Sequence, residues 1–331
     1  MKPLVTVVVP NYNHARYLPQ RLETVASQTL KDIEVIGLDD ASTDGSREVL
    51  GEFAPLLQMR LSFNETNSGS PFKQWRKGAA MGCGKYLWIA ESDDFSHPEF
   101  LERLVQQLER HPRAGLAYCN SLIVDGSGNT MGESKDWNRP LDASRWLHDF
   151  VASGRDECRL YLSQQNTIPN ASAVVVRRDL FLACDDVPSE LRLGGDWVTW
   201  LKVLCQSDLI YLADPLNRYR DHGNSVREQF GRVRQFTEEC RIFAYISGKY
   251  QGDATVHRRV RTAALARWRG LRPQLGSAVP ISWYVDVAPY LRRISPALMC
   301  YTSGSFVWRR LIGSHALAPL RRLRGRQNRR A

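Results

Sequence analysis

The fold is indicated by residues 4–40, LVTVVVPNYNHARYLPQRLETVASQTLKDIEVIGLDD, in which two apolar runs flank one helical segment. The runs LVTVVV (4–9) and IEVIGL (33–38) are continuous and rich in β-branched residues, which is typical of strands buried on both faces of a parallel sheet. Between them, Leu18 and Leu22 follow helical spacing. We therefore predict a strand–helix–strand unit with polar loops at the strand ends.

The same alternation continues to about residue 118. We predict helices over 46–57, 72–81 and 98–108 and strands over 59–63, 85–90 and 114–118. This order is typical of an α/β fold, with an open, mostly parallel sheet, right-handed crossovers and helices on both faces. Ligands of such sheets bind beyond the carboxyl ends of the strands, so the polar loops at those ends are where a site is expected.

The pattern weakens from about 120 to 160, where DGSGN (125–129) indicates a hairpin turn. Beyond about residue 230 the chain is helical in pattern and increasingly rich in Arg. We predict three regions, with a mainly helical extension as the last: 1–118, 119–230 and 231–331.

The charge of the chain lies in its last region. Lys and Arg number 45 against 35 Asp and Glu, and residues 287–331 contain ten Arg without any Lys, Asp or Glu. Apolar residues such as Trp308 and Leu311 alternate with these Arg, which predicts contact with an anionic membrane surface. A solvated, disordered tail is the alternative, and Pro319 favours it by interrupting a long helix. The body carries no nucleic-acid-binding motif, so specific nucleic-acid recognition is not expected.

Cysteine usage and the lack of long apolar runs indicate the compartment. The seven Cys form no CxxC pair, which argues against a disulfide framework and favours a reducing environment. The chain start does not resemble a signal peptide, and no run reaches the roughly 20 apolar residues of a membrane span. We predict a cytoplasmic protein, with peripheral contact at the inner face of the cell membrane if the tail binds lipid.

Carboxylates stand where predicted strands end. The clusters are Asp39-Asp40 with Asp44, then Glu91, Asp93 and Asp94, and later Asp196. Such hard oxygen ligands suit Mg²⁺ or Mn²⁺ shared with substrate phosphates. The glycine motifs GxGxxG and GxxxxGK[ST] are missing, which disfavours nicotinamide dinucleotides and P-loop nucleotides. Helix capping is the alternative role for Asp94 and, near Ser46, for Asp44.

Four motifs in this order resemble family 2 glycosyltransferases, nucleotide-sugar-dependent enzymes with a GT-A, Rossmann-like fold. They are VTVVVPNYNHARYLPQRLETVASQTLKDIEVIGLDDASTDGS (5–46), NSGS (67–70), GKYLWIAESDD (84–94) and HPEFL (97–101). A weaker likeness continues through NTIPNASAVVVRR (166–178), GGDWVTWL (194–201) and YRDHGNSV (219–226). The tail matches no family we can name.

The resemblance implies an inverting transfer from a UDP- or dTDP-activated sugar to a glycan or lipid-linked acceptor, in envelope polysaccharide synthesis as in many relatives. Residues 1–118 would be the nucleotide-sugar-binding half and 119–230 the acceptor half of one GT-A domain. Two departures from the family pattern keep a second hypothesis open. Glu91 is one methylene longer than the usual first acid of its motif, and Gly195 stands where the family usually has the first acid of a pair. The alternative is a non-catalytic nucleotide-sugar-binding module or scaffold.

The resemblance also assigns donor contacts. Pro10, Tyr12 and Asn13 lie in the loop that holds the nucleoside, and Asp39 matches the carboxylate that accepts the imide N–H of uracil or thymine. A packed aromatic is the alternative role of Tyr12. Glu91, Asp93 and Asp94 match the DxD-type motif, in which the acid at the Asp93 position binds the Mn²⁺ or Mg²⁺ that bridges the diphosphate.

Late residues are expected to close the diphosphate site. His222 falls in a loop where an imidazole could complete the metal ligands, although a structural histidine is the commoner case. Arg218, Arg220 and Arg227 are candidate diphosphate contacts, because guanidinium groups suit phosphate oxygens.

In the acceptor half, Asp196 matches the family's catalytic base, which takes the proton of the attacking hydroxyl. Capping the helix that follows Asp196 is the alternative, and the two roles do not exclude each other. Asn166, Asn170 and Trp197 are candidate acceptor contacts, with turn formation as the alternative for the two Asn.

Overall fold

The computed structural model describes residues 2–184, 191–222, 226–275 and 280–312, without the side chains of 226–230, 274 and 308–312. The chain forms two compact units. The first comprises Met1–Leu162 and Asn166–Gln229, and the second comprises Ser163–Gln165 and Phe230–Ala331.

The first unit is built on one sheet of ten strands. These are β1 (Val5–Asn11), β2 (Ile33–Asp39), β3 (Arg60–Phe63), β4 (Tyr86–Ile89), β5 (Phe95–Ser96), β6 (Ala114–Val124), β7 (Thr130–Glu133), β8 (Phe150–Ala152), β9 (Val174–Arg177) and β10 (Asp208–Arg220). Its order is β3-β2-β1-β4-β9-β6-β10-β5, with β7 paired to β6 and β8 to β10. The α/β class predicted from the sequence is confirmed.

Strand direction changes across the sheet. The first four strands in spatial order, β3, β2, β1 and β4, are parallel, as are β6 and β10. Strand β9 is inserted antiparallel between β4 and β6, and β5 is antiparallel to β10. The hairpin between β6 and β7 turns through Asp125, whose Oδ1 accepts from the backbone N–H groups of Ser127 and Asn129. Gly128 has φ +92° there, which a glycine adopts without strain.

Helices connect these strands. They are α1 (Leu18–Ala26), α2 (Ser46–Leu57), α3 (Pro71–Met81), α4 (Phe100–Arg110), α5 (Gly154–Glu157), α6 (Arg178–Ala183) and α7 (Gly195–Leu204), with short 3₁₀ or π turns at Ser134–Trp137, Arg145–Leu147, Cys158–Leu162 and Ala171–Ala173. The apolar faces of α1 and α4 are buried, as the spacing of Leu18, Leu22 and Leu104 requires. Trp88 of β4 contacts Phe100 with ring centroids 4.9 Å apart. Burial of each such side chain stabilises the fold by about 1.5–3 kcal/mol.

The second unit is helical. Its elements are α8 (Val226–Lys249, which begins at the end of the first unit), α9 (Ala254–Leu271), a 3₁₀ turn (Arg272–Gln274), α10 (Ile281–Ile294) and α11 (Pro296–Ile312). Gly231, with φ +68°, interrupts the helical geometry of α8. An aromatic core holds the helices together: the rings of Tyr284 and Phe306 stack at 4.9 Å, and Trp268 Nε1 donates to Ser305 Oγ. The predicted helical extension is thus present.

The basic tail falls largely outside the described residues. This applies to 313–331 and to the side chains of Arg309 and Arg310, so membrane contact through them stays a prediction. Arg292 and Arg293 are exposed on α10. None of the helices in the described ranges is long and apolar enough to cross a bilayer.

Candidate functional site

The candidate site lies at the carboxyl edge of the parallel strands. β1 pairs with β2 on one side and with β4 on the other, and Asn11 lies opposite Asp39. Because parallel strands end at a common edge, the loops that follow β1, β2 and β4 meet there. These loops carry the nucleoside-binding candidates and the acidic sequence Glu91–Asp94.

The carboxylate of Asp39 is completely buried and accepts three hydrogen bonds. Oδ1 accepts from the backbone N–H of Ser42 (3.0 Å) and from Arg47 Nε (2.8 Å), and Oδ2 accepts from Asn11 Nδ2 (3.1 Å). Burial acts to raise the pKa of Asp39, but these hydrogen bonds outweigh it and hold the pKa below its ordinary value.

The loop after β1 is tied to the loop after β2. Asn13 has φ +56°, a conformation that Asn tolerates, and its Oδ1 accepts from the backbone N–H of Thr43 at 2.8 Å. Pro10 is buried in β1, whereas Tyr12 keeps 47% of its surface exposed. Asp44 Oδ1 accepts from the backbone N–H of Ser46 at 3.0 Å, but the N-cap position of α2 is Gly45, so Asp44 lies one residue before the predicted cap. Because its side chain is exposed, Tyr12 is available to a ligand.

Glu91 is the first acid of the loop that follows β4. Its Oε1 accepts from Trp75 Nε1 at 2.6 Å, and its backbone N–H donates to Ser172 Oγ. Burial, together with the negative charges of Asp93 and Asp94, raises the pKa of Glu91 to about 8. Burial thus favours the protonated side chain near neutral pH, and one of its oxygens is already occupied by the indole N–H of Trp75.

Asp94 holds separate parts of the unit together. Its Oδ1 accepts from the backbone N–H of Arg220 (2.8 Å), and its Oδ2 accepts from Asn170 Nδ2 (2.9 Å). Burial and the nearby charge of Asp93 raise its pKa to about 6. Asn170 also accepts from Asn217 Nδ2 at 3.3 Å and is itself buried. Both residues thus lie inside the protein, where Asp94 does not cap α4 and Asn170 is directed to Asp94.

Asp93 meets two histidines. His222 Nε2 lies 3.1 Å from Asp93 Oδ2, and ligand atoms of His14, Asp93 and His222 all lie within 4.8 Å of one another. Burial acts to raise the pKa of Asp93, but the hydrogen bond from His222 and the nearby His14 lower it overall. The same hydrogen bond raises the pKa of His222. The predicted pair of Asp93 and His222 is thus brought together, with His14 added.

His14 was not singled out from the sequence, although it stands in the PNYNH loop that carries the nucleoside-binding candidates. The signal was its place after β1, at the same edge as Asp93. A single imidazole in a loop has no distinctive spacing, and only the pairing of β1 with β4 reveals its neighbours.

The arginines near His222 in the sequence differ in their surroundings. The guanidinium of Arg220 is buried and donates to Asp93 O (2.8 Å), Asp125 O (3.1 Å) and Gln20 Oε1 (2.6 Å). Arg220 therefore positions the acidic loop, and its predicted contact with a diphosphate is untested. Arg218 Nη1 donates to Pro215 O. The side chain of Arg227 lies outside the described residues.

Arg21 is a buried cation beneath the acidic loop that sequence reasoning missed. Its Nε donates to Glu91 O at 2.8 Å, and its guanidinium lies 5.4 Å from the ring centroid of Trp88. Within the described part of the chain, Nη1 and Nη2 have no hydrogen-bond partner. Burial lowers the pKa of Arg21 to about 10, while Asp94 and the other acids of the loop act in the opposite direction. The group remains charged and partly offsets those acids.

On the acceptor side, Asp196 lies in the first turn of α7. Its Oδ2 accepts from Asn166 Nδ2 at 2.8 Å, and its Oδ1 accepts from the backbone N–H of Trp197 at 2.7 Å. A Cβ on Gly195 would clash with the ring of Phe72, which explains why this position carries no acid. Trp197 is buried, and its Nε1 donates to Leu162 O at 2.9 Å. Asn166 and Asp196 thus come together, whereas Trp197 is a core residue.

Comparisons with known proteins identify the family of this chain. The family model described as "Glycosyl transferase family 2" matches residues 6–179, more than half of the chain. Glycosyltransferase GlyG of Streptococcus pneumoniae serotype 4 is 34% identical over 242 residues, which cover 68% of this chain and 73% of GlyG. TuaG of Bacillus subtilis, a glycosyltransferase named for teichuronic acid biosynthesis, is 26% identical over 228 residues, covering 68% of this chain and 82% of TuaG.

Among solved structures, the crystal structure of S. aureus TarS 1–349 in complex with UDP-GlcNAc is similar with a TM-score of 0.71. The sequences are 18% identical, and the match covers 93% of this chain and 88% of that one. At this identity the likeness shows the fold, which confirms the predicted GT-A architecture. With the family model and GlyG in agreement, the chain belongs to glycosyl transferase family 2 and is a glycosyltransferase.

Proposed function

We propose that this protein is an inverting, metal-dependent glycosyltransferase that moves a sugar from a UDP- or dTDP-activated donor to a glycan or lipid-linked acceptor. The observation that carries the proposal is the arrangement at one sheet edge, where the ionised Asp93 lies against His222 while the loops after β1 and β2 meet beside it. A diphosphate with its cation would fit beside Asp93 and His222, and a nucleoside would fit the loops after β1 and β2.

The donor set fits a divalent cation. Asp93 offers a carboxylate oxygen and His222 an imidazole nitrogen, a mixture that Mn²⁺ accepts and Mg²⁺ tolerates less well. When bound, Mn²⁺ or Mg²⁺ would neutralise charge on the leaving diphosphate. Asp93 and His222 would hold the ion, and Arg220 fixes the loop by binding Asp93 O.

The nucleoside is proposed to bind the loop after β1. The exposed ring of Tyr12 can stack on the base, and Pro10 and Asn13 shape the loop. Asp39 Oδ2, which accepts from Asn11, is the proposed acceptor for the imide N–H of the base. The lowered pKa of Asp39 supports this role, because an ionised carboxylate accepts a hydrogen bond more strongly than a neutral carboxyl group does.

Asp196 is the proposed catalytic base. It accepts the proton of the acceptor hydroxyl while that oxygen attacks the anomeric carbon and the bond from that carbon to the diphosphate breaks. The hydrogen bond from Asn166 orients the carboxylate, and its position in the first turn of α7 stabilises its charge. Similarity to TuaG, whose name refers to teichuronic acid biosynthesis, supports a role in envelope polysaccharide synthesis.

The deciding experiment measures donor hydrolysis and UDP binding with purified protein, Mn²⁺ and a panel of UDP-, dTDP- and GDP-sugars. We expect slow hydrolysis of a UDP- or dTDP-sugar. Asp196→Asn should spare UDP binding and lower turnover by roughly 10²–10⁴-fold, the usual contribution of a general base. Asp214→Asn, at an exposed carboxylate paired with Arg103, is the matched control and should change neither quantity.

Two outcomes would contradict the proposal in different ways. If no donor were hydrolysed and no nucleotide were bound, the proposal that the protein uses a nucleotide sugar would be wrong. Normal donor binding without turnover against a broad acceptor panel would instead support a non-catalytic nucleotide-sugar-binding module.

A further inference from the structure

We infer that His14 is a third protein ligand of the divalent cation, next to Asp93 and His222, and that two imidazoles make the site selective for Mn²⁺ over Mg²⁺. The inference rests on the proposed metal dependence and goes beyond it, because it adds a ligand and a preference between ions. No part of the family resemblance assigned a role to His14.

The geometry comes from three separate segments. His14 follows β1, Asp93 follows β4 and His222 follows β10, and their ligand atoms lie within 4.8 Å of one another. The rings of His14 and His222 lie 5.7 Å apart at 88°, so they meet edge to face and are not stacked. Groups this close can converge on one ion after small side-chain rotations.

The surroundings of each ring leave one nitrogen for an ion. A ligating imidazole generally gives its second nitrogen to a hydrogen-bond partner, which fixes the ring. His14 Nδ1 lies 2.9 Å from Ser92 Oγ, so its other nitrogen remains for an ion. His222 is 7% exposed, and its Nδ1 has no hydrogen-bond partner among the described residues. A buried ring nitrogen without a partner is a second indication, independent of the distances, that the imidazole binds an ion.

The chemistry of the set decides which ion is preferred. Mg²⁺ is bound through oxygen ligands and waters, whereas Mn²⁺, a less hard transition ion, also accepts imidazole nitrogen and loses its waters more readily. One carboxylate and two imidazoles therefore favour Mn²⁺ over Mg²⁺. Asp93 and His222 alone would offer one oxygen and one nitrogen ligand. His14 adds a second nitrogen, so we expect it to determine the preference for Mn²⁺ over Mg²⁺.

The test measures Mn²⁺ and Mg²⁺ binding to the full chain, with and without UDP, by titration and by electron spin echo spectroscopy of the Mn²⁺ complex. Nitrogen modulation should show two directly bound imidazoles in the wild type and one in His14→Gln. The Mn²⁺ affinity of His14→Gln should fall by roughly tenfold or more, the size seen when even an indirect partner of a ligand is lost. Its Mg²⁺ affinity should change much less.

Controls and contrary outcomes separate this inference from the proposed function. His148→Gln, at an exposed histidine outside the group, should leave both affinities unchanged. Melting temperatures measured with EDTA would show whether each variant is folded. Unchanged nitrogen modulation and Mn²⁺ affinity in a folded His14→Gln would overturn the role of His14 and leave the proposed function intact. A wild type that binds no divalent cation even with UDP would overturn both.

Discussion

Asp39 ends β2 and Asp93 follows β4, the two strands that flank β1, yet the surroundings of the two carboxylates are opposite. Three donors from the protein surround the buried Asp39, including the cation Arg47. Asp93 instead shares its loop with Glu91 and Asp94, and the like charges help to raise the pKa of both neighbours. Asp93 itself stays ionised because histidines face it.

The difference separates two uses of a carboxylate. Where side chains of the protein already neutralise the acid, the carboxylate stabilises the fold and offers an oriented acceptor. Where like charges crowd and imidazole ligands face the acid, the electrostatic balance improves when a cation binds. The comparison therefore favours Asp93 over Asp39 as the proposed metal ligand, and four measurements can test that proposal.

The largest effect is expected for Asp93→Asn. The metal contributes several kcal/mol to a transition state of this type, so turnover should fall by roughly a hundredfold or more. Binding of UDP should also lose its dependence on Mn²⁺. The paired variant Asp39→Asn should keep that dependence even if UDP binds more weakly, and an Asp39→Asn protein that no longer responds to Mn²⁺ would break the comparison.

Asp39→Asn should lower the free energy of unfolding at pH 7 by about 2–3 kcal/mol, because it leaves buried donors and Arg47 without their charged partner. The pKa of Asp39 is lowered in the folded state, so its stabilisation is present above the ordinary value of 3.8 and is lost as pH falls through the folded pKa. Urea unfolding against pH should show a larger loss of stability in acid for the wild type than for Asp39→Asn. Equal slopes in both proteins would contradict this account.

Glu91→Gln should change how stability depends on pH. The folded pKa of Glu91 is raised from 4.5 to about 8, so the neutral form stabilises the fold below pH 4.5 and that advantage is lost as pH rises through 8. Relative to Glu91→Gln, the wild type should lose on the order of 2 kcal/mol across this window, since solvent screens part of the shift.

Gln keeps an oxygen to accept from Trp75 Nε1, so packing is preserved in this variant. The measurement is urea unfolding of both proteins between pH 4 and 9. Parallel stability curves would mean that Glu91 is ionised in the folded protein and is itself available to a cation.

The smallest effect is expected for Arg47→Met. Arg47 is 40% exposed, and solvent weakens its ion pair with Asp39, so the loss should be about 1 kcal/mol. Lys85→Met, in the exposed pair with Glu109, is the matched control and should cost about half of that or less. A double-mutant cycle with Asp39→Asn measures the coupling, and zero coupling would show that Asp39 is held by its neutral donors alone.

Much of the fold was predictable because its signals are local. The predicted helix 46–57 is α2 (Ser46–Leu57), and the predicted strand 33–38 is β2 (Ile33–Asp39). The ends of other helices and strands depended on residues distant in the sequence. Helix α4 begins at Phe100 and not at Pro98, and the Gln28 side chain accepts the N–H of Leu101 in its first turn. Strand β6 continues past residue 118 because Asn120 and Ser121 find hydrogen-bond partners across the sheet.

The site was predictable only in part. Motif spacing led to Asp93, His222 and Asp196, since acids and an imidazole stood at strand or helix ends. Spacing could not show that Trp197 packs in the core or that Arg220 is occupied by protein oxygens. Both side chains are amphipathic, and burial decides whether such groups face a ligand or the interior.

The amino-acid sequence by itself determined the alternation of strands and helices, the edge where the polar loops meet and the family, because these depend on neighbouring residues and short motifs. Tertiary structure alone decided which acids remain charged and which histidines face them. His222 and Asp93 are 129 positions apart, and a pKa responds to burial and to charges a few ångströms away, whatever their separation along the chain.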